Sequence, residues 1–558
     1  MKKTVAIFCF LLVLFNPSFA QPFTHADTLR GSNGPGRAWW DATKYDLHVK
    51  FNLQDSTISG YNVIDFKVLK RDSIMQIDLQ EPMVIDSVEM LFKLITPGSR
   101  KATSNSIPYQ LTHIIKQGNA YFVYVEPKLW INNTGTLFIY YHGKPKISKK
   151  APWDGGIVWA RDKQHNPWIS IACQGLGASV WYPCKDYQGD EPDSAEMHIT
   201  APSDLIAISN GRMRSKINND DGTTTTTWAV VNPINNYDLI PYIGKYTHFG
   251  EIYKGEKGNL TMDYWVLDSN LIKAKKQFKE APRMMKAFEY WFDPYPFYED
   301  GYKLVDAPYL GMEHQSAVAY GNGYQNGYHG MDLSGTGQGL KWDFIIVHES
   351  GHEWFGNNIT SKDIADMWIH EGFTNYSETL FTEYYFGKKA ANEYLIGLRK
   401  NIENKEPIIT AYGVNKEGPI DMYYKASNMI HTIRQIINND NKFRNILRGL
   451  NKTFYHQTVT AKQIEDYISK NSGINFSKVF DQYLRTIKIP TLEYKINNGT
   501  LSYHWTNCVS GFDMPVKIQN KNGSFIFIYP KEKMQELKTG LKDLKVDENF
   551  YIITKQIN

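Results

Sequence analysis

His348-Glu349-Ser350-Gly351-His352, followed after a short interval by Trp368-Ile369-His370-Glu371-Gly372-Phe373, is the stretch on which the reading of this 558-residue chain turns. Residues four apart lie on one face of a helix, so His348 and His352 can present imidazole nitrogens to one metal ion while Glu349 leans over the adjoining space. The preceding run Trp342-Asp343-Phe344-Ile345-Ile346-Val347 is apolar and free of Pro and Gly, which predicts a buried helix through the motif. Two histidines beside a glutamate also arise by chance on surface helices, and the second segment lifts the motif above that reading. Apolar and aromatic positions from Ile364 to Phe386 predict a second helix, which brings Glu371 as a third ligand. Structural zinc usually takes four protein ligands and favours cysteine, whereas two histidines and a carboxylate leave a position for water. That donor set predicts hydrolytic chemistry: zinc lowers the pKa of water from about 15.7 to about 7, and Glu349 is placed to accept its proton.

Four separate segments resemble the gluzincin aminopeptidases related to aminopeptidase N and leukotriene hydrolase. Two are the histidine motif and the Trp-x-x-Glu-Gly-Phe segment with Glu371, at the family's usual separation. The third, Leu310-Gly311-Met312-Glu313-His314, is similar to the family's Gly-x-Met-Glu-Asn motif and precedes the zinc helix at about the family's distance. The resemblance implies that Glu313 binds the substrate's free amino group, with Gly311 and Met312 also at the substrate. The fourth, Tyr423-Tyr424-Lys425-Ala426, resembles Tyr-x-Lys-Gly and implies Tyr423 as donor to the tetrahedral oxyanion; a shift of one residue would exchange it for Tyr424. Upstream, Gln174 in Ala172-Cys173-Gln174-Gly175-Leu176-Gly177-Ala178 resembles the N-domain glutamine or glutamate that helps hold the amino terminus. A glutamine that merely bonds backbone in a turn-rich β segment is the competing reading. His314, Leu310, Ala426 and His370 depart from the residues usual in the family, and none of them replaces a reacting group.

A carboxylate at Glu313 offers an ammonium group a charge-assisted hydrogen bond, which selects the first peptide bond; without it the same zinc site would serve an endopeptidase. The expectation is therefore a zinc-dependent aminopeptidase holding one Zn2+ per chain and acting on peptides with a free N-terminus. Two alternatives stand beside it: an endopeptidase or epoxide hydrolase on the same zinc site, and an exported peptide-binding protein without turnover.

Composition frames this reading. The 62 basic and 58 acidic residues give a net charge of +4, and removing Lys2 and Lys3 with the leader leaves +2, so nothing suggests a nucleic-acid partner. Met1-Lys2-Lys3, an apolar run from Val5 to Phe15 and Ser18-Phe19-Ala20 before Gln21 read as a secretory signal peptide, which places the mature chain in the periplasm or outside the cell. No later segment approaches about 20 uninterrupted apolar residues, so no transmembrane anchor is expected. The sequence carries no signal for an oligomeric state. Cys9 leaves with the leader; Cys173, Cys184 and Cys508 lack the spacing of a zinc ribbon, and export would permit a Cys173–Cys184 disulfide.

A chain of this length exceeds one core, and the expected class is multidomain α+β. Short alternating runs such as Tyr45-Asp46-Leu47-His48-Val49-Lys50-Phe51 predict a β domain over residues 21–250. Helical patterns, beginning with Ser269 to Phe292 and its Asp293-Pro294 stop, predict a catalytic domain over 251–489. Alternation returns in Ser524-Phe525-Ile526-Phe527-Ile528-Tyr529, which predicts a small antiparallel β domain over 490–558. The resemblance implies an N-terminal β saddle, a thermolysin-like α/β catalytic domain and a β-sandwich-like third module, without the large C-terminal helical domain of aminopeptidase N and leukotriene hydrolase and with a more open cleft. The Gly-rich run from Gly321 to Gly339 is expected to be flexible beside that cleft.

Overall fold

The computed structural model describes residues 23–95, 102–104, 109–129 and 131–558. The expected signal peptide, with Cys9, lies outside the described residues. Alternation in Trp40–Asn52 becomes a strand that buries Tyr45, Leu47, Val49 and Phe51 and turns Asp46, His48 and Lys50 to the other face. This strand lies within a nine-stranded sheet. Its spatial order starts with Arg212–Asn218, Thr223–Val230, Ser194–Pro202 and Trp40–Asn52, and continues with Thr57–Val68, Thr134–Gly143 and Val84–Ile95. The pairing of Trp40–Asn52 with Ser194–Pro202 is parallel, with His48 opposite His198 and Asp46 opposite Glu196. A four-stranded sheet, ordered Gly156–Arg161, Pro167–Ala172, Tyr242–Gly244, Ile206–Ile208, carries the segment leading to Gln174 toward the next domain.

The catalytic domain opens on a sheet rather than on helix. Its five strands are ordered Tyr246–Gly255, Gly258–Leu267, Tyr302–Asp306, Val318–Tyr320, Gly311–Met312, so the expected boundary at residue 250 falls inside a strand. Gly311–Met312 is the edge strand and borders the cleft. The helical run predicted from Ser269 is interrupted: Leu271–Gln277 and Glu280–Phe292 are separate helices. Between them Phe278 is buried against the rings of Tyr264 and Tyr320, at centroid distances of 5.4 and 4.9 Å. Burying that ring outweighs the gain from continuing the helix.

Three helices build the site: Phe344–Gly351, Trp368–Leu398 and Asp421–Ile437. The first is capped by Asp343, whose Oδ1 accepts from the backbone N–H of Ile345 at 3.1 Å and Ile346 at 3.3 Å, a contribution of about 1 kcal/mol. Asn322 donates to the same oxygen at 2.9 Å and to the carbonyls of Gln325 and Gly327, both at 2.8 Å. The Gly321 to Gly339 run is therefore folded around Asn322 and tied to the helix cap instead of hanging free, and its Tyr328 and Leu333 line the cleft.

After the helix Ser477–Arg485 the chain forms strands Thr491–Asn497, Thr500–Thr506, Gln535–Lys538 and Ile553–Gln556. The last pairs parallel with Thr491–Asn497, so this sheet is mixed and not purely antiparallel. Leu492, Leu501, Trp505 and Val516 bury into the same continuous core as Phe480 and Tyr483, which makes the module a buttress of the catalytic domain. Cys173 and Cys184 are buried free thiols, and the disulfide that export would permit between them is not formed.

Candidate metal centre and cleft

His348 lies within the helix Phe344–Gly351 and His352 at its C-terminal cap, where the chain leaves through an irregular wide turn at Phe355 and Gly356. Glu371 lies in the first turn of the helix Trp368–Leu398. The rings of Phe355 and Phe373 stack at 4.5 Å and 8°, fastening the turn after His352 to the turn after Glu371. Gly372 allows the third helix close: a Cβ there would stand 2.7 Å from Ala426 Cβ, so a side chain at this position would push away the helix that carries Tyr423.

The imidazole nitrogens have assigned duties. His348 Nδ1 is 2.7 Å from Glu378 Oε1, and His352 Nδ1 is 3.1 Å from the carbonyl of Phe355 and 3.2 Å from Thr374 Oγ1. A carboxylate and a carbonyl can only accept, so both Nδ1 atoms carry the proton and both Nε2 atoms turn lone pairs toward Glu371. Glu371 Oε2 is 3.7 Å from His348 Nε2 and 3.4 Å from His352 Nε2, is buried, and has no hydrogen-bond donor aligned on it. Ligand atoms bound about 2.1 Å from a tetrahedral ion stand about 3.4 Å apart. The triad therefore fits a zinc ion: its spacing, its tautomers and its orphaned carboxylate oxygen all call for a cation. His348, Glu349 and His352 also offer ligand atoms within 4.8 Å of one another, but Glu371 brings the lone pair that nothing else uses, and Glu349 is left for proton transfer.

Burial works to raise the Glu371 carboxyl pKa; in the metal-free site positive charge on His352 and His348 outweighs it and holds the group well below the usual carboxylate range, the place a bound cation would take. Burial pushes Glu349 up to about 7, with the nearby imidazoles opposing the rise and Glu313 adding to it. A carboxyl poised near neutral pH suits a group that takes up and returns a proton. Gly311 flanks it closely: a Cβ on Gly311 would stand 2.7 Å from Glu349 Oε1 and 2.8 Å from Ile345 Cγ2. The glycine makes room for the base.

Glu313 is buried in the same cleft, and burial raises its pKa. Gln174 donates its amide N–H to Glu313 Oε1, and the Tyr237 hydroxyl donates to the same oxygen at 3.1 Å. The Tyr423 ring stacks near His348 at 6.0 Å and 21°; burial raises its phenol pKa well above the ordinary value, and the charge of Glu371 adds to the rise. Tyr424 also lines the cleft, with its pKa raised to about 12 by burial and then by the charge of Glu378. Of the two tyrosines, Tyr423 is the one beside the ligand set. Lys425 reaches away, donating from Nζ to the Thr486 carbonyl at 2.7 Å, so it anchors the helix to the chain below.

Gln174, Gly311, Met312, Glu313, His348, Glu349, His352, Glu371 and Tyr423 all line one cleft of about 350 Å³ between the β domain and the catalytic domain. Sequence reading missed Thr374, Glu378, Tyr237 and Glu417. Thr374 and Glu378 follow Glu371 by three and seven positions, so helical periodicity alone marks them as facing the same side. Glu417 lines the cleft from a loop, its pKa raised by burial and by Glu371 and Glu313, and no local pattern announces it. His370 accepts from the Ser361 backbone N–H at 2.8 Å, a contact that braces the segment before Glu371. His314 Nδ1 is 2.6 Å from the Tyr242 hydroxyl, and burial holds its pKa down to about 3, so it is a neutral packing partner behind Glu313.

This fold and donor set are those of the gluzincin class, in which two histidines one helical turn apart and a glutamate on the following long helix face one metal position. Family models match two stretches, the Peptidase M1 N-terminal domain over residues 41–237 and the Peptidase family M1 domain over 277–483, and the chain belongs to the M1 peptidase family. It is 19% identical over 90% of its length to "Probable aminopeptidase 2" of Sulfurisphaera tokodaii, of which it covers 62%. It is 28% identical over 38% of its length to "Aminopeptidase N" of Canis lupus familiaris, of which it covers 22%. The chain thus spans less than two thirds of the length of these curated relatives. Among solved structures, a mutant M1 zinc metallopeptidase from Deinococcus radiodurans bound to a Tyr-Ser-Ala substrate shares the fold. Its TM-score is 0.67 at 18% identity, with 83% of this chain and 98% of that one covered.

Proposed function

We propose that this protein is an exported, zinc-dependent aminopeptidase that removes the first residue from peptides with a free amino terminus. The observation that carries the reading is Glu313: a buried carboxylate, braced by Gln174 and Tyr237, in the cleft that holds the His348–His352–Glu371 triad. An ammonium group bound there sets the first peptide bond beside the cation site, and a charge-assisted hydrogen bond in a water-poor cleft fixes register as well as affinity. The aminopeptidases named among the relatives support the same activity.

One Zn2+ on the triad would supply an acidified water and a positive charge for the substrate carbonyl oxygen. Glu349 accepts the proton of the attacking water and returns it to the departing nitrogen. Tyr423 is the hydroxyl donor for the oxygen on which negative charge develops. Leu310, Met312, Phe344 and Ile345 form apolar walls that keep bulk water from the reacting atoms. Export rests on the leader of residues 1–20. No helix among the described residues is long and apolar enough to cross a membrane.

The test is a panel of aminoacyl-fluorophore substrates, free and N-acetylated, assayed before and after chelation and zinc restoration. Zinc-dependent release confined to free-amine substrates is expected. Release from acetylated substrates would assign an endopeptidase, and stoichiometric peptide binding without release would assign a binding protein.

A further inference from the structure

Glu417 has no part in the chemistry above, yet it lines the same cleft, from the loop that leads into the helix Asp421–Ile437 carrying Tyr423. That loop is held from several sides. The Asn415 backbone N–H donates to the Asp27 carbonyl at 3.2 Å, the Asn415 side-chain amide donates to the Gly175 carbonyl at 3.3 Å, and Lys416 Nζ pairs with Glu406 Oε2 at 2.7 Å. Behind the next residue there is no slack: a Cβ on Gly418 would stand 2.7 Å from the Ile408 carbonyl oxygen. A braced turn therefore delivers the Glu417 carboxylate, and the lysine beside it is committed elsewhere.

Glu417 itself has no positive partner. Among the described residues none donates a hydrogen bond to its carboxylate or forms an ion pair with it, the charges of Glu371 and Glu313 that act on it are both negative, and the residue is open to the cleft. The lining of the cleft holds four carboxylates, on Glu313, Glu349, Glu371 and Glu417, and neither lysine nor arginine. A divalent ion on the triad and an ammonium group at Glu313 bring three positive charges between them. One carboxylate is left over, and a positive charge arriving with the substrate would compensate it, whereas a negative one would be repelled.

The position of Glu417 says which part of the substrate it meets. A peptide held by its ammonium group at Glu313, with its first carbonyl at the triad, projects its first side chain from the carbon between those two points. Glu371 and Glu313 are the two charges that bear on Glu417. Its Oε2 would stand 3.5 Å from a Cβ on Gly175, the residue after the Gln174 that donates to Glu313. We propose that Glu417 reads the first residue of the substrate and selects peptides that begin with arginine or lysine, an assignment that rests on the aminopeptidase reading and narrows its substrate class.

Arginyl- and citrullinyl-coumarin share length and shape and differ in side-chain charge, so the ratio of their kcat/KM values isolates that charge from every other feature of turnover. The native chain should favour arginine by about tenfold or more, and Glu417→Gln should bring the two substrates within about twofold of each other. A native ratio near one would overturn the proposal, and so would a Glu417→Gln variant that loses both substrates alike, which would make Glu417 a second holder of the amino group. A further measurement needs no turnover. The zinc-loaded Glu349→Gln chain, with and without Glu417→Gln, is titrated calorimetrically with Arg-Ala-Ala and citrulline-Ala-Ala. The arginine peptide should bind about tenfold more tightly, and the difference should vanish in the double variant; equal affinities in the single variant, or no binding of either peptide, would overturn the assignment. Failure to hydrolyse either coumarin would strike the aminopeptidase reading and leave the titration to decide the role of Glu417, so the two readings fail separately.

Discussion

Gln174, carried by the β domain, donates its side-chain amide to the carboxylate of Glu313 in the catalytic domain, joining residues 139 positions apart across the floor of the cleft. The Tyr237 hydroxyl shares the same oxygen at 3.1 Å. Two neutral donors on one oxygen order the carboxylate without cancelling its charge, and that charge is what an ammonium group would meet. Glu313→Ala should lower kcat/KM on free aminoacyl substrates by on the order of 10²-fold or more, the worth of a hydrogen bond to a charged group. Gln174→Ala should cost about tenfold, mainly in KM, because it orders the carboxylate without supplying its charge. Parallel assays on free and acetylated substrates check both; a Glu313→Ala enzyme that still preferred the free amine would remove Glu313 from that role.

Gly311 approaches Glu349 so closely that an added methyl group would meet Oε1 at 2.7 Å and the Ile345 side chain at 2.8 Å. Gly311→Ala should therefore displace the base while leaving the three ligands in place. Zinc content should be unchanged and kcat reduced by about 10²-fold, the scale of an ångström-sized misplacement. Normal turnover in a protein shown to carry alanine there would mean that the base does not occupy this position.

Burial lifts the Glu349 carboxyl to about 7, and the base works only as a carboxylate. Protonation switches it off, so kcat/KM should fall as pH drops through about 7, tending to tenfold per pH unit below it. The Glu349→Gln variant should keep its zinc and lose several orders of magnitude in kcat. A profile flat between pH 5.5 and 8 would exclude a group of this pKa as the base.

Glu378 fixes the tautomer of His348 through the 2.7 Å contact at Nδ1 and is itself held by Asn375 at 3.0 Å and by the Tyr394 hydroxyl. Glu378→Gln keeps the shape but removes the charge that stabilises a metal-facing imidazole. Zinc affinity should fall by about 10- to 100-fold, read by competition with a chromogenic chelator, and the stripped variant should regain activity when excess zinc is added.

Both tyrosines line the cleft, but it is the Tyr423 ring that stacks near His348 and feels the charge of Glu371. Tyr423→Phe should lower kcat by about 10²- to 10³-fold with little change in KM, as expected when an oxyanion donor is lost. Tyr424→Phe should cost less than about tenfold. The reverse order would move the donor one residue along the chain.

The chemistry of the metal centre was legible because its parts are local. His348 and His352 are one helical turn apart, so a period of 3.6 residues places them on one face without any knowledge of the fold; Thr374 and Glu378 follow Glu371 at helical spacing too, but spacing alone does not say that they touch the ligand histidines. The β character of residues 40–52 was equally plain, since a period of two separates Tyr45 and Leu47 from Asp46 and His48. The break at Phe278 was not legible, because a ring buried against Tyr264 and Tyr320 overrides helical propensity and those tyrosines are distant in sequence.

By itself the sequence determined which atoms can hold a metal and which carboxylate can move a proton, because these are properties of residue type and short-range spacing. The tertiary structure alone decided that Gln174 and Tyr237 meet Glu313, that Glu417 enters the same cleft, and that Asp46, His48 and His198 converge on another face. Each of those contacts depends on how separate sheets dock or on the register of strands far apart in the chain. Such registers are set by the burial of whole faces, which no local window of sequence contains.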